Sequence, residues 1–294
     1  MIKNNNSQVS LRILFLGTGG TIAGLVSDGG TYQAAQLAVD ALLPTFNGSP
    51  YDVTCEQLAQ IDSKDMSFDV WERLYARITL ALHDSALDAI VITHGTDTLE
   101  ETAYFLSATL DATKPVILTG AMRPADAMDA DGPQNLLDAS SFAATRQAGV
   151  FVVFAGEIFP AYMVQKTHAN DLAAFEALGA FDVPLKPLKM TIKDGQNWPR
   201  VEIVMSYAGA SGGMVDALIA QKVDGIVVAA TGNGTIHQDL EMSLKRAIKD
   251  DIAVVIATRC MKGGITKNAS QAFEALQLTP VKARIALMLK LLSS

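Results

Sequence analysis

Short apolar runs alternate with amphipathic stretches along almost the whole chain. Leu11–Leu16, Ala89–Thr93, Val116–Leu118 and Val150–Phe154 are dominated by Val, Ile, Leu and Phe. Such continuous runs predict strands of a parallel sheet covered on both faces. Within Ser67–His83, the residues Trp71, Leu74, Tyr75, Ile78 and Leu82 recur at spacings of three and four, which predicts one buried face of a helix. Thr98 followed by Glu101 reads as a capping box that opens a helix running to Leu110, with Asp111-Ala112-Thr113-Lys114-Pro115 ending it.

After Phe181 the pattern breaks. Val183–Arg200 carries three prolines, three lysines and a Gly-Gln-Asn turn, a linker with room for one irregular hairpin. Alternation then restarts: strand Val201–Met205, helix Met214–Gln221, strand Gly225–Ala230, helix Leu240–Lys249, strand Ala253–Ala257 and helix Val281–Leu292. The expected fold class is α/β, with two doubly wound domains. The larger, N-terminal domain (residues 1–182) is expected to hold five strands and the catalytic loops. The linker takes 183–200, and a smaller C-terminal α/β domain of three or four strands takes 201–294.

Composition narrows the possibilities. With 49% hydrophobic and 18% charged residues in 294, the chain is far from a disordered one. A formal net charge of −8 argues against a nucleic-acid partner, which needs cations to neutralise phosphate. Cys55 and Cys260 stand alone and the four histidines are scattered, so neither a metal centre nor a disulfide framework is expected. The polar start Met1–Ser10 shows no secretory leader and no apolar run approaches the ~20 residues of a membrane span. A soluble, cytoplasmic protein with no membrane partner is the expectation.

In an open parallel sheet, ligands bind in the loops that leave the carboxyl ends of the strands. Four such loops stand out: Gly17–Gly24, Asp62–Met66, Thr93–Thr98 and Thr119–Pro124. The first is rich in glycine but is no nucleotide loop. Ile22 occupies the place of the third glycine of a dinucleotide fingerprint, and Leu25-Val26 that of the Lys-Ser/Thr of a phosphate loop. A glycine turn that packs strand on helix explains the loop but not Thr21, whose hydroxyl follows it. Asp97 could serve as a helix cap, yet it sits among Thr96, Thr98, His94 and Gly95, which is richer than a cap demands. His94 alone is given no catalytic role, and Glu100-Glu101 reads as compensation of a helix dipole.

Two blocks resemble the signatures of the L-asparaginase family of threonine-dependent amidohydrolases: Leu16–Gly24 (LGTGGTIAG) and Ile92–Ala103 (ITHGTDTLEETA). Gly120–Pro124 with Asp131–Leu136, and Lys166-Thr167 with Asp171 and Phe175, resemble further family blocks in order. The resemblance implies conversion of L-asparagine to L-aspartate and ammonia, with weaker action on L-glutamine and no cofactor. It implies Thr21 as nucleophile, with Tyr32 taking its proton from a flexible, lid-like segment, Leu25–Thr31. Thr96, Asp97 and Lys166 make a second catalytic set, with Lys166 relaying a proton. The implied substrate is a free amino acid held by Gly20, Ser63, Lys64, Gly95, Thr96 and Asp97. Ser63 and neighbouring backbone N–H groups suit its α-carboxylate, and Asp97 its ammonium. A homo-oligomer, tetramer or dimer, is also implied.

Some positions depart from the family pattern. Lys64 replaces a glutamine of the best-known members, Tyr162 an arginine, and Gly209 an asparagine lent by a neighbouring subunit in those relatives. By the same resemblance, the segment after Arg259 reads as shortened. Weak glutamine turnover is the expected consequence, with Lys64 adding a cation near the substrate carboxylate unless it is merely a solvated loop residue. The cysteines of exported relatives are absent too. Two other readings compete with the enzyme: a non-catalytic amino-acid sensor on this scaffold, and the amidase component of a tRNA-dependent amidotransferase. The latter wants a basic, nucleic-acid-facing surface that the net charge of −8 does not suggest.

Overall fold

The apolar runs become strands. In the computed structural model, which describes residues 10–26, 32–46, 49–177, 187–188, 190–266 and 272–293, two compact units form. The first runs to Glu176 and takes in Ile192–Asp194. Its main strands are β1 (Leu11–Gly19), β4 (Tyr51–Ile61), β5 (Ala89–Thr93), β6 (Pro115–Thr119), β7 (Gly149–Phe154) and β8 (Glu157–Pro160). Two small pairs accompany them: β2 (Leu25–Val26) with β3 (Tyr32–Gln33), and β9 (Val164–Lys166) with β10 (Phe175–Ala177).

The sheet order is β4-β1-β5-β6-β7-β8. The first five strands are parallel and match the number expected, four of them at the apolar runs named and the fifth, β4, at a half-buried stretch without such a run, while β8 adds a sixth, antiparallel edge. Because β4 follows β1 in the chain but lies on its far side, the strand order reverses between β1 and β5. The ends of the two strands at that reversal border the crevice where open α/β sheets take their ligands.

Alternation within each buried strand sends successive side chains to opposite faces. Ile13, Phe15, Val91 and Ile117 join Leu136, Ala139 and Phe142 of α3 (Gly132–Ala143) in one apolar cluster. Leu14, Leu16, Ile90, Ile92 and Leu118 are buried on the other side. Helices α1 (Phe68–His83) and α2 (Leu99–Thr109) pack against each other. The predicted apolar stripe of α1 is its buried face, with Trp71 stacked on Phe105 of α2 at a centroid distance of 4.8 Å.

The expected capping box is not formed. Thr98 is the N-cap of α2, but its side chain makes no cap bond. The hydroxyl instead donates to the carbonyl of Ser63 at 2.7 Å, tying the β5 loop to the β4 loop. A short cap hydroxyl has this choice because a nearby carbonyl competes with the helix N–H groups for it.

The second unit comprises Ala177–Thr191 and Gly195–Ser294. It holds β11 (Val201–Met205), β12 (Gly225–Ala230), β13 (Ala253–Thr258) and β14 (Glu274–Ala275), adjacent in that order and all parallel. Helices α4 (Gly213–Ala220) and α5 (Gln238–Lys249) bury Leu218, Leu240 and Leu244 with Val204, Ile226 and Ile256. Helix α6 (Pro280–Leu292) packs on β11, β12 and β13. Pro280 opens it, and the Thr279 hydroxyl accepts from the N–H of Lys282.

Of the linker expected over 183–200, residues 183–186 and 189 lie outside the described residues. Elsewhere in it no strand forms, so the hairpin is not found among the described residues, and Ile192 is buried. Residues 27–31 of the expected lid likewise lie outside the described residues.

Candidate active site

The loop after β1 is shaped by glycine. Gly19 and Gly20 have φ of 103° and 82°, a region costly for side chains with a Cβ. A Cβ on Gly20 would stand 2.3 Å from both N and Cα of Gly95, so the β1 and β5 loops touch backbone to backbone. A Cβ on Gly95 would in turn meet Ser63 Oγ at 2.5 Å, which brings the β4 loop into the same contact. Gly20 N–H also donates to the Ile61 carbonyl at 2.9 Å. Each glycine is followed by a threonine, Thr21 or Thr96.

Thr21 begins a single 3₁₀ turn, Thr21–Ala23, and is half-buried. The β2–β3 pair sets Val26 opposite Tyr32, and the Tyr32 hydroxyl donates to Thr21 Oγ1 at 2.8 Å. Burial pushes the Tyr32 phenol above its ordinary pKa, the Thr21 hydrogen bond opposes that, and the charges of Asp62 and Asp97 add to the rise. A standing tyrosinate is therefore disfavoured.

The second proton-bearing group lies on the loop that follows β5 and on β9. Thr96 is buried, whereas the Asp97 side chain is 58% exposed. Lys166 Nζ donates to Thr96 Oγ1 at 2.9 Å and to Asp97 Oδ1 at 2.7 Å. The Lys166 backbone N–H donates to Glu100 Oε2 at 3.1 Å, so the acidic start of α2 anchors the strand carrying the lysine. Sequence reasoning gave Glu100 a dipole role only. Its partner is 66 residues away, and no local spacing signals it.

His94 is buried and has no exposed function. The order of its contacts assigns its tautomer: Trp71 Nε1–H donates to Thr102 Oγ1, Thr102 donates to His94 Nε2, and Nδ1–H donates to the Gly95 carbonyl. Burial lowers the imidazole pKa to about 4. The ring is a neutral brace under the Gly95 turn.

Ser63 is buried, and its hydroxyl accepts from Asp97 N–H at 3.2 Å. The hydroxyl keeps its own proton for a further acceptor. The N–H groups of Asp65 and Met66 are spent within the 62–66 turn. Lys64 is exposed and pairs with Asp62 at 3.7 Å and, more closely, with Asp65, whose hydrogen bond raises the ammonium pKa. In the β6 loop, the Asp131 carboxylate accepts from Met122 and Arg123 N–H at 2.9 Å each. Asn135 bridges the Gly120 carbonyl and Ala155 N–H. That block, noted in the sequence without a role, builds the loop.

Hydroxyls also stitch the strand ends together. Thr18 Oγ1 donates to the Thr93 carbonyl and Thr119 Oγ1 to the Val153 carbonyl, both at 2.8 Å. The structure thus brings Thr21 with Tyr32, and Thr96 with Asp97 and Lys166, onto one sheet edge. Gly20, Gly95 and Ser63 form the packed floor, and Lys64 sits at an exposed margin. Tyr162 is half-buried in the first unit. Gly209 lies in the second unit at φ 77°, with open space where a side chain would begin. Chemically, the edge offers two hydroxyls, each within hydrogen-bond reach of a group that can pass a proton, beside an exposed carboxylate. Among the described residues no group of three or more His, Cys, Asp or Glu side chains could hold a metal ion, and no helix is long and apolar enough to cross a membrane.

Comparisons with known proteins place the family and the fold. Residues 12–191 match the family model described as Asparaginase, N-terminal, and residues 200–294 the Glutaminase/Asparaginase C-terminal domain. The chain is 36% identical to L-asparaginase 2 of Escherichia coli (strain K12), over 95% of this chain and 88% of that protein. It is 34% identical to a glutaminase-asparaginase of Pseudomonas fluorescens biotype A, over 95% and 86%. It also superposes on the crystal structure of a probable cytoplasmic L-asparaginase from Campylobacter jejuni with a TM-score of 0.85 and 36% identity, over 97% of this chain and 96% of that one.

Proposed function

Since this chain belongs to the asparaginase family of hydrolases, we propose that its amidohydrolase activity on asparagine and glutamine runs through a threonine acyl-enzyme. Thr21 Oγ1 attacks the side-chain amide carbon; the C–O bond forms, the C–N bond breaks and ammonia leaves. Water then cleaves the Thr21 ester and releases L-aspartate. The observation that carries this reading is the 2.8 Å hydrogen bond between Tyr32 and Thr21. A threonine hydroxyl is a weak nucleophile unless its proton has somewhere to go.

Because the phenol donates to Thr21 at rest and its pKa is raised, Tyr32 acts as a relay. It receives the Thr21 proton as its own moves toward the leaving nitrogen, with no free tyrosinate. Thr96 and Lys166 serve the second half, in which Thr96 orients water and Lys166 holds its hydroxyl. Asp97 binds Lys166 through one oxygen and offers carboxylate charge to the substrate ammonium. The Ser63 hydroxyl proton suits the α-carboxylate, with Lys64 adding positive charge at the margin. Glycine at 209 supports weaker turnover of the longer substrate, glutamine. A cytoplasmic homo-oligomer that uses no cofactor completes the proposal.

The test is ammonia release from L-asparagine and L-glutamine by the protein and its Thr21→Ala variant. Activity on asparagine that vanishes in the variant is expected. Ammonia release that survives the substitution would overturn the nucleophile assignment.

A further inference from the structure

We propose that Asp126, which no part of the reaction above uses, is a positioning residue that holds Tyr32 on Thr21. The inference rests on the reading of Tyr32 as the proton partner of Thr21. Asp126 stands in the loop between β6 and α3, on the far side of β2 from Tyr32. Both of its carboxylate oxygens accept from a single backbone group, the Val26 N–H, at 3.0 and 3.2 Å. One residue earlier, the Ala125 N–H donates to the Gly24 carbonyl at 2.9 Å. Residues 125–126 therefore extend β2 as a neighbouring strand would, with a side-chain carboxylate standing in for a carbonyl.

The other edge of β2 carries the chemistry. Val26 is the register partner of Tyr32, and Tyr32 reaches Thr21. A two-residue pair is too short to hold its own geometry in water, and its exposed members Val26 and Tyr32 contribute little burial. The Asp126 loop is better fixed. Asp131 ties down Met122 and Arg123 at its start, and Pro124, Ala127 and Ala130 form consecutive turns. A carboxylate hydrogen bond to N–H is among the stronger ones, so the firm loop orders the short pair. Asp126 is 100 residues from Val26 in the chain, which hides the relation from sequence spacing.

The experiment measures kcat and KM for asparagine in Asp126→Ala and Asp126→Asn, each alone and combined with Tyr32→Phe. Asp126→Ala is expected to lower kcat about tenfold with KM within about threefold, the split of a misplaced reacting group. Asp126→Asn keeps an acceptor oxygen and stays within about twofold of the native rate. In the Tyr32→Phe background, Asp126→Ala is expected to cost under about twofold, because residues acting as one unit are not additive. Equal losses in both backgrounds, or a native kcat in Asp126→Ala while Tyr32→Phe is slow, overturns the role of Asp126 alone. A native rate in Tyr32→Phe overturns the reading of Tyr32 and this inference with it.

Discussion

Gly20 and Gly95 meet without a side chain between them, and a Cβ on either would collide with backbone or with Ser63. The two threonines that follow them are therefore aligned by main chain, independent of any rotamer. The contact explains why glycines recur in both signature loops: close approach at 20 and 95, and positive φ at 19 and 20.

Gly95→Ala, at a position without positive φ, isolates the contact from strain. The new methyl must displace Ser63 Oγ, and overpacking of this kind costs about 1–3 kcal/mol. We expect a folded protein with a lower Tm and asparagine turnover reduced about a hundredfold or more, as a displacement near 1 Å at a reacting group produces. Gly209→Ala, with open space around it but φ of 77°, is the control: a loss of about 1 kcal/mol and no comparable fall in kcat. Steady-state ammonia release and thermal melts read both.

Lys166 and Asp97 give a second prediction. Lys166→Met removes the only partner described for the Thr96 hydroxyl and should lower kcat by about 10²–10⁴-fold, the usual worth of a positioned proton-transfer group. If Lys166 serves the second half of the reaction, rapid-mixing of Lys166→Met with asparagine gives one equivalent of ammonia in a burst, followed by slow turnover. Absence of a burst would place the lysine in the first half.

The neutral His94 predicts an acid-sensitive fold. Its pKa is about 4 when buried against about 6.5 when exposed. Between these values the unfolded chain binds a proton that the folded one refuses, so stability falls as pH drops from about 6.5 to about 4, by about 3 kcal/mol in all. His94→Gln should be less stable near neutrality yet show a flatter decline over that window. Denaturant midpoints at about pH 7 and about pH 4.5 decide it, and parallel slopes for the two proteins would count against the brace.

Lys64 faces two carboxylates, one of which, Asp62, also bears on Tyr32. Lys64→Gln leaves that negative charge unbalanced beside the expected site of the substrate carboxylate. We expect KM for asparagine to rise about two- to fivefold at low salt, with the difference shrinking as salt shortens the Debye length to about 3 Å at 1 M. An asparagine-to-glutamine ratio unchanged in this variant would confine Lys64 to the carboxylate common to both substrates.

How much of this was legible beforehand depended on burial. β5 and β12 lie at the residues expected because their interior runs are apolar and fully buried, and β11 does so with Glu202 as its one charged residue. β8 was not foreseen: a four-residue edge strand with exposed Glu157 and Ile158 carries no continuous apolar run. The four loops gathered on one edge were readable from the alternation of strand and helix alone. Tyr32 and Lys166 were not, since an exposed aromatic and a lone lysine say nothing by spacing, and only the family resemblance picked them out. Glu100, Thr98 and Asp126 escaped both routes, because each acts through a partner 35 to 100 residues away.

The threonine stitches at the strand ends have a consequence of their own. Where sheets usually fray, Thr18 and Thr119 tie β1 to β5 and β6 to β7. Amide hydrogens at this rim should exchange with solvent as slowly as those in the middle of the strands, in a single cooperative unit with them. Partial opening at the rim is then closed to the protein as a route to losing activity. Heat or denaturant should abolish turnover and sheet protection together, with no earlier stage in which a disordered site rides on an intact fold.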